Sequence, residues 1–273
     1  MKVLVLFIAM VCAIACTTTE TILDFNLVEG SINKLDSAYV IFQEQAYRFP
    51  LDAQGKGTLK MNIKEDGFAI LVYGKLSTNI YLKQGNTLKV IWDKEDWRGG
   101  KMQVVSDDGG INEYIRLNIE KSFKKATECS FTLEEDSFMD KVEQTIRELS
   151  AGIDSTNFAP EIKDILKASS KYEVLYWIYK YPRFHNFGKR MSQEEYLAFK
   201  RFNEYMFDKF EAHPEYLCLT AYREYAVNWF YELMQLRCFG EPYILKKEKA
   251  CQYILEHVKN AELREYALAE TIT

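Results

Sequence analysis

The chain has 273 residues, 48% of them hydrophobic and 27% charged, with 13 glycines and 5 prolines, a composition that excludes wholesale disorder and collagen-like or low-complexity folds. That length predicts one large or two modest domains, each able to bury a core. A net charge of −5 argues against a nucleic-acid partner, which calls for a basic stripe, and three histidines make a His-rich metal site awkward.

Lys2 is followed by an uncharged apolar run, Val3 to Ala15, and then by Cys16. A positive start, an apolar core and small residues before a cut describe an export signal. The run is too short for the ~20 residues a membrane-spanning helix needs. Ala13-Ile14-Ala15-Cys16 resembles a bacterial lipobox. That resemblance implies removal of residues 1–15 as a signal peptide, lipidation of Cys16, and attachment to the cell envelope, expected at the outer membrane on its periplasmic or surface face. Acyl chains would hold the protein there at ~0.8 kcal/mol per buried CH₂. The alternative is a plain secretory signal with Cys16 near its cut.

From about Thr21 to Val105 short runs alternate in polarity between turn signals. Strands are predicted at Ile22–Val28, Ala38–Phe42, Gly57–Ile63, Gly67–Tyr73, Thr78–Leu82, Thr87–Trp92 and Lys101–Val105. Asp52-Ala53-Gln54-Gly55, Glu65-Asp66-Gly67 and Gln84-Gly85-Asn86 supply turns. Seven or eight such strands predict a small antiparallel β-sandwich or barrel-like domain over residues 16–106.

At Asp107-Asp108-Gly109-Gly110 the hydrophobic period changes to that of a helix, and residues 107–273 read as an all-helical array, making the fold class α+β. The first stripe runs from Ile111 to Ala126. A capping box at Thr132-Leu133-Glu134-Glu135 predicts the second helix, Pro160 the start of the third, and Ser192-Gln193-Glu194-Glu195 a further start. Pro214 and Pro242 are each expected to open a helix, and Ala261 to Ile272 reads as the last. Residues 172–231 hold 19 of the 39 aromatic side chains. These rings either fill joints between helices or form a ligand surface for glycans or peptides, for which Trp177 and Trp229 are the candidates.

No catalytic constellation emerges, and no cofactor or metal is expected. Beyond Cys12 and Cys16, Cys129, Cys218, Cys238 and Cys251 form no Cys-x-x-Cys, the close pair that a thioredoxin-type site needs. They are open to structural disulfides or to free thiols. Asp93, Glu95 and Asp96, and the glycine-rich stretch Trp97 to Lys101, read as turns. His185, His213 and His257 read as surface or packing residues.

Three stretches carry a family likeness: Phe25-Asn26-Leu27-Val28-Glu29-Gly30-Ser31-Ile32, Ile80-Tyr81-Leu82-Lys83-Gln84-Gly85-Asn86-Thr87-Leu88-Lys89-Val90, and Gly110-Ile111-Asn112-Glu113-Tyr114-Ile115. With the lipobox they resemble the N-terminal region of the TlpA-like thiol–disulfide oxidoreductase lipoproteins of Bacteroidetes type, where a β domain and a helical region precede a thioredoxin domain. The chain ends about where that thioredoxin domain is expected, so no residue inherits the family's reactive cysteines. The resemblance implies a non-catalytic, lipid-anchored accessory module that positions or docks a redox partner, a thioredoxin-like domain or protein. The competing expectation is a glycan- or peptide-binding lipoprotein using the aromatic-rich helical region.

Overall fold

A computed structural model describes residues 20–28, 35–93, 102–186, 192–208, 213–237 and 243–272. The chain divides into two compact units, Met1–Glu113 and Tyr114–Thr273.

The first unit contains β1 (Thr21–Leu27), β2 (Ser37–Phe42), β3 (Gln45–Pro50), β4 (Lys56–Met61), β5 (Gly67–Tyr73), β6 (Leu76–Leu82), β7 (Thr87–Trp92) and β8 (Gln103–Val105). They form two four-stranded sheets, ordered β4-β1-β7-β8 and β3-β2-β5-β6. All neighbours pair antiparallel except β1 with β7, which run parallel with Leu23 opposite Leu88 and Phe25 opposite Val90. Strict alternation along β1 turns Leu23, Phe25 and Leu27 to the core. Phe25 meets Phe49 and Tyr73 of the other sheet, with centroids 6.0 and 6.2 Å apart, and Trp92 of its own at 6.4 Å. These inter-sheet ring contacts make the unit a sandwich.

The predicted strands are present, two of them with the expected ends, and β3 is an addition. Its turn, Gln43-Glu44, holds both residues in the left-handed region (φ 47° and 64°) without glycine or asparagine. Gly57 is required by proximity, since a Cβ there would lie 2.5 Å from the Pro50 carbonyl oxygen.

Strand gives way to helix between Val105 and Ile111, through Gly109 and Gly110 at φ 73° and 85°. Asp108, 5% exposed, accepts the backbone N–H groups of Gly110, Ile111 and Asn112 and so caps helix α1 (Ile111–Thr127). The first turn of α1 belongs to the β unit. The Asn112 amide accepts the Tyr81 N–H at 2.8 Å and donates to the Tyr81 carbonyl at 2.7 Å.

The second unit continues with α2 (Glu135–Asp154), α3 (Pro160–Ile178), α4 (Tyr181–His185), α5 (Gln193–Leu197), α6 (Lys200–Asn203), a π turn (Glu204–Asp208), a 3₁₀ turn (Pro214–Tyr216), α7 (Thr220–Arg237), α8 (Tyr243–His257) and α9 (Ala261–Ile272). Pro160 opens α3, and Ser192 and Glu195 form a complete capping box for α5. Three expectations are corrected. Thr132 does not cap α2: the helix starts at Glu135 after an extended Glu134, with no side-chain cap. The residues of the expected box are engaged elsewhere, Thr132 with Ser130 and Glu135 with the Phe202 N–H at 2.8 Å. Pro214 opens a single 3₁₀ turn instead of a helix. The helix expected from Ser192 ends after one short turn, and at Phe199 (ψ 74°) the segment breaks into short pieces. Pro242 lies outside the described residues. The core is ring-rich: Phe138 stacks on Tyr181 at 3.9 Å, and the Tyr181 hydroxyl donates to the Leu133 carbonyl.

Candidate functional site

Three elements of the helical unit enclose a cleft of about 380 Å³, within the size range of small-ligand sites. From α2 come Ile146 and Ser150, one helical turn apart. Helix α3 supplies Asp164, Lys167, Ala168, Lys171 and Tyr172, whose spacing places them on one helix face. The turn at the start of the 3₁₀ segment closes the cleft with His213 and Tyr216.

Each side chain has a physical anchor. Tyr172 is 3% exposed and packs against Tyr216, Tyr222 and Tyr225, with centroids 5.9, 4.7 and 5.3 Å away. The Lys171 ammonium lies 5.5 Å from the Tyr172 ring centroid, a cation–π placement. Lys167 is paired with Asp154 at 2.5 Å, a hydrogen bond that holds its pKa above the usual lysine value. The His213 backbone N–H donates to the buried Tyr222 hydroxyl at 2.8 Å. Its ring lies 5.0 Å from that of Tyr216 and places Nδ1 2.9 Å from Glu215 Oε1.

Burial pushes the hydroxyls of Tyr172 and Tyr225 well above the ordinary tyrosine value and that of Tyr222 up to about 12. Tyr216 is shifted upward by burial first and then by the carboxylates of Glu215 and Asp164. Burial opposes ionisation of Glu215, but its own backbone N–H and the His213 ring outweigh it, so its pKa lies below the ordinary glutamate value. The cleft thus joins an aromatic wall to a rim carrying both signs of charge.

Of the residues singled out by sequence, Trp229 lies in the core: it is 5% exposed and its indole N–H donates to the Met206 carbonyl in the π turn. Trp177 is half-buried, stacked on Phe131 at 5.6 Å and edge-on to Phe123, with the Lys180 ammonium 5.0 Å from its ring centroid. Its indole nitrogen is buried without an acceptor among the described residues. Neither tryptophan lines the cleft. Cys16, Cys238, Glu95, Asp96 and the 97–101 stretch lie outside the described residues. Cys129, Cys218 and Cys251 form no disulfide among the described residues, and burial pushes the Cys129 thiol up. His185 Nδ1 sits 2.9 Å from the Phe131 carbonyl oxygen, a packing role. Among the described residues no group of three or more His, Cys, Asp or Glu is placed to hold a metal ion, and no helix is long and apolar enough to cross a membrane.

The cleft escaped the sequence reading because Asp164, Lys167 and Lys171 look like a solvated helix face. The signal that was present was their i, i+3, i+7 spacing beside Ala168 and Tyr172, which puts polar and core-directed residues on one face.

Comparison of the chain with protein-family models, with curated proteins and with solved structures finds no match.

Proposed function

We propose that the chain is a non-catalytic accessory module of a thioredoxin-like lipoprotein system, tethered in the bacterial cell envelope through lipidated Cys16, and that it positions or docks a redox partner. One observation carries the reading. Two of the three stretches that resemble the TlpA-like lipoproteins are locked together, because Asn112 at the helix start takes both backbone groups of Tyr81 in β6. Both bonds are local to the β unit and tie the start of the third stretch, residues 110–113, to the second there. The order of the units, β-sandwich then helices, agrees with the accessory region of that family. A module of this kind acts by placement: the lipid fixes it to a surface and the folded units set the reach of what docks on them.

The test is expression of the full chain in a bacterial host with labelled palmitate, followed by titration of the purified chain with a thioredoxin-fold oxidoreductase from the same envelope. Label incorporation lost in Cys16→Ser, together with saturable binding to the oxidoreductase, is the expected result. A soluble, unlabelled wild type that does not bind would overturn the reading.

A further inference from the structure

From the cleft between α2, α3 and the 213–216 turn we infer a binding site for a saccharide of one or two pyranose rings, a function independent of the redox-docking reading. The argument rests on which ligand chemistry its walls satisfy. Five of the nine lining residues are polar or charged, namely Ser150, Asp164, Lys167, Lys171 and His213. A wholly apolar ligand would strip water from them without replacing its hydrogen bonds, at a cost for each group.

A simple inorganic anion is disfavoured for two reasons. Lys167 is already neutralised by Asp154, and the carboxylates of Asp164 and Glu215 are close enough to push the Tyr216 hydroxyl upward. An anion would also leave most of a 380 Å³ cleft to water. A cation gains nothing from Lys171 and Lys167.

A sugar hydroxyl is both donor and acceptor, so hydroxyls at the two ends of a saccharide can meet a carboxylate and an ammonium. Asp164 and Lys171 stand on one face of α3, two turns or about 10 Å apart along the axis, a span matching one to two pyranose rings. Ser150 and His213 add a hydroxyl and an imidazole from the other elements. The apolar C–H face of a pyranose needs a flat partner. Tyr216 supplies it as the half-buried ring of the pair whose other member, Tyr172, is sealed in the core. The cleft is braced from behind: Tyr222 packs on Tyr172 and holds the His213 backbone, so the wall is set before a ligand arrives.

The test is ligand-observed saturation-transfer NMR on the purified chain with maltose, cellobiose, lactose and chitobiose, each at about 10 mM to reach millimolar affinities, with phosphate and acetate as competitors. Transfer from at least one disaccharide is expected, undiminished by either anion. Lys171→Gln and Tyr216→Ala should each reduce it about fivefold or more, as expected when a polar or stacking partner is withdrawn, while Trp177→Ala leaves it intact. Lys171 is exposed, so its substitution reports on the cleft even where Tyr216→Ala loosens the fold. Absence of transfer from all four sugars, transfer surviving both cleft variants, or its displacement by phosphate or acetate would overturn the inference.

Discussion

Asn112→Ala is expected to destabilise the β unit by about 3 kcal/mol. Strand β6 is an edge of its sheet, paired with β5 on one side, and Phe68 is opposite Tyr81 in that register. The Tyr81 N–H and C=O are instead taken by the Asn112 amide, which stands in for one peptide group of a missing neighbour strand. Asn112 is 2% and Tyr81 8% exposed, so water does not readily replace the lost partner. Each orphaned buried backbone group costs about 1–3 kcal/mol, and two are created. Asp108 loses the Asn112 amide as a fourth donor but keeps three backbone N–H groups. The comparator is Asn118→Ala in the helical unit. Asn118 is also buried, but its amide donates only to the Ser170 hydroxyl, which has the Leu166 carbonyl as a second partner. A cost of about 1 kcal/mol is expected there. Native-state hydrogen exchange is the assay: protection of the Tyr81 amide should fall about 100-fold in Asn112→Ala, the equivalent of ~3 kcal/mol. Equal costs for the two variants, or an unchanged Tyr81 amide, would refute the account of Asn112 as a strand substitute.

Two further outcomes follow from the helical core. Trp229→Phe should cost about 1–3 kcal/mol through the lost bond to the Met206 carbonyl, and Trp229→Ala about 3–5 kcal/mol through the cavity as well, both read from urea midpoints of the helical circular dichroism. The buried tyrosines predict alkaline weakening. With folded-state values raised above 10 for Tyr172, Tyr222 and Tyr225, the unfolded chain loses these protons first. Stability therefore falls as pH rises through about 10, where the unfolded tyrosines ionise. For Tyr222 the loss continues to about 12. Tyr222→Phe should blunt the fall, and an unchanged slope in that variant would count against the burial of its hydroxyl.

Much of the β unit was legible because a half-buried strand writes its exposure in every second residue. Leu59 and Met61 alternate with lysine and threonine on β4, and Asp52 closes its turn by accepting the N–H groups of Gln54 and Lys56. Strand β3 was hidden because its turn pays for two left-handed residues without the glycine or asparagine that announces them. In the helical unit, Pro160 and the Ser192 box act within one turn of their own position, so they could be read locally. The false box at Thr132 shows the limit of that reasoning. Its chemistry was right for a cap, but Ser130 and the distant Phe202 offered its groups other partners.

The candidate site was illegible for a related reason. A charged helix face reads as solvent-facing until another element folds over it, and here the cover comes from α2 and from a turn about 35 residues downstream of the end of α3. The same logic separates the two tryptophans. Trp229 is followed by Phe230 and Tyr231, where pattern alone cannot say which ring turns inward, and the carbonyl that accepts from its indole belongs to a π turn in another segment. Trp177 follows Tyr176 and stands three residues before Lys180, which lies near the rings of Tyr176, Trp177 and Tyr179 alike. The aromatic concentration between 172 and 231 therefore divides its labour. Tyr172, Tyr222 and Tyr225 build a rigid interior, and Tyr216 is the member of that cluster left half-exposed at the cleft, where a ring held from behind can offer its face without first having to be ordered.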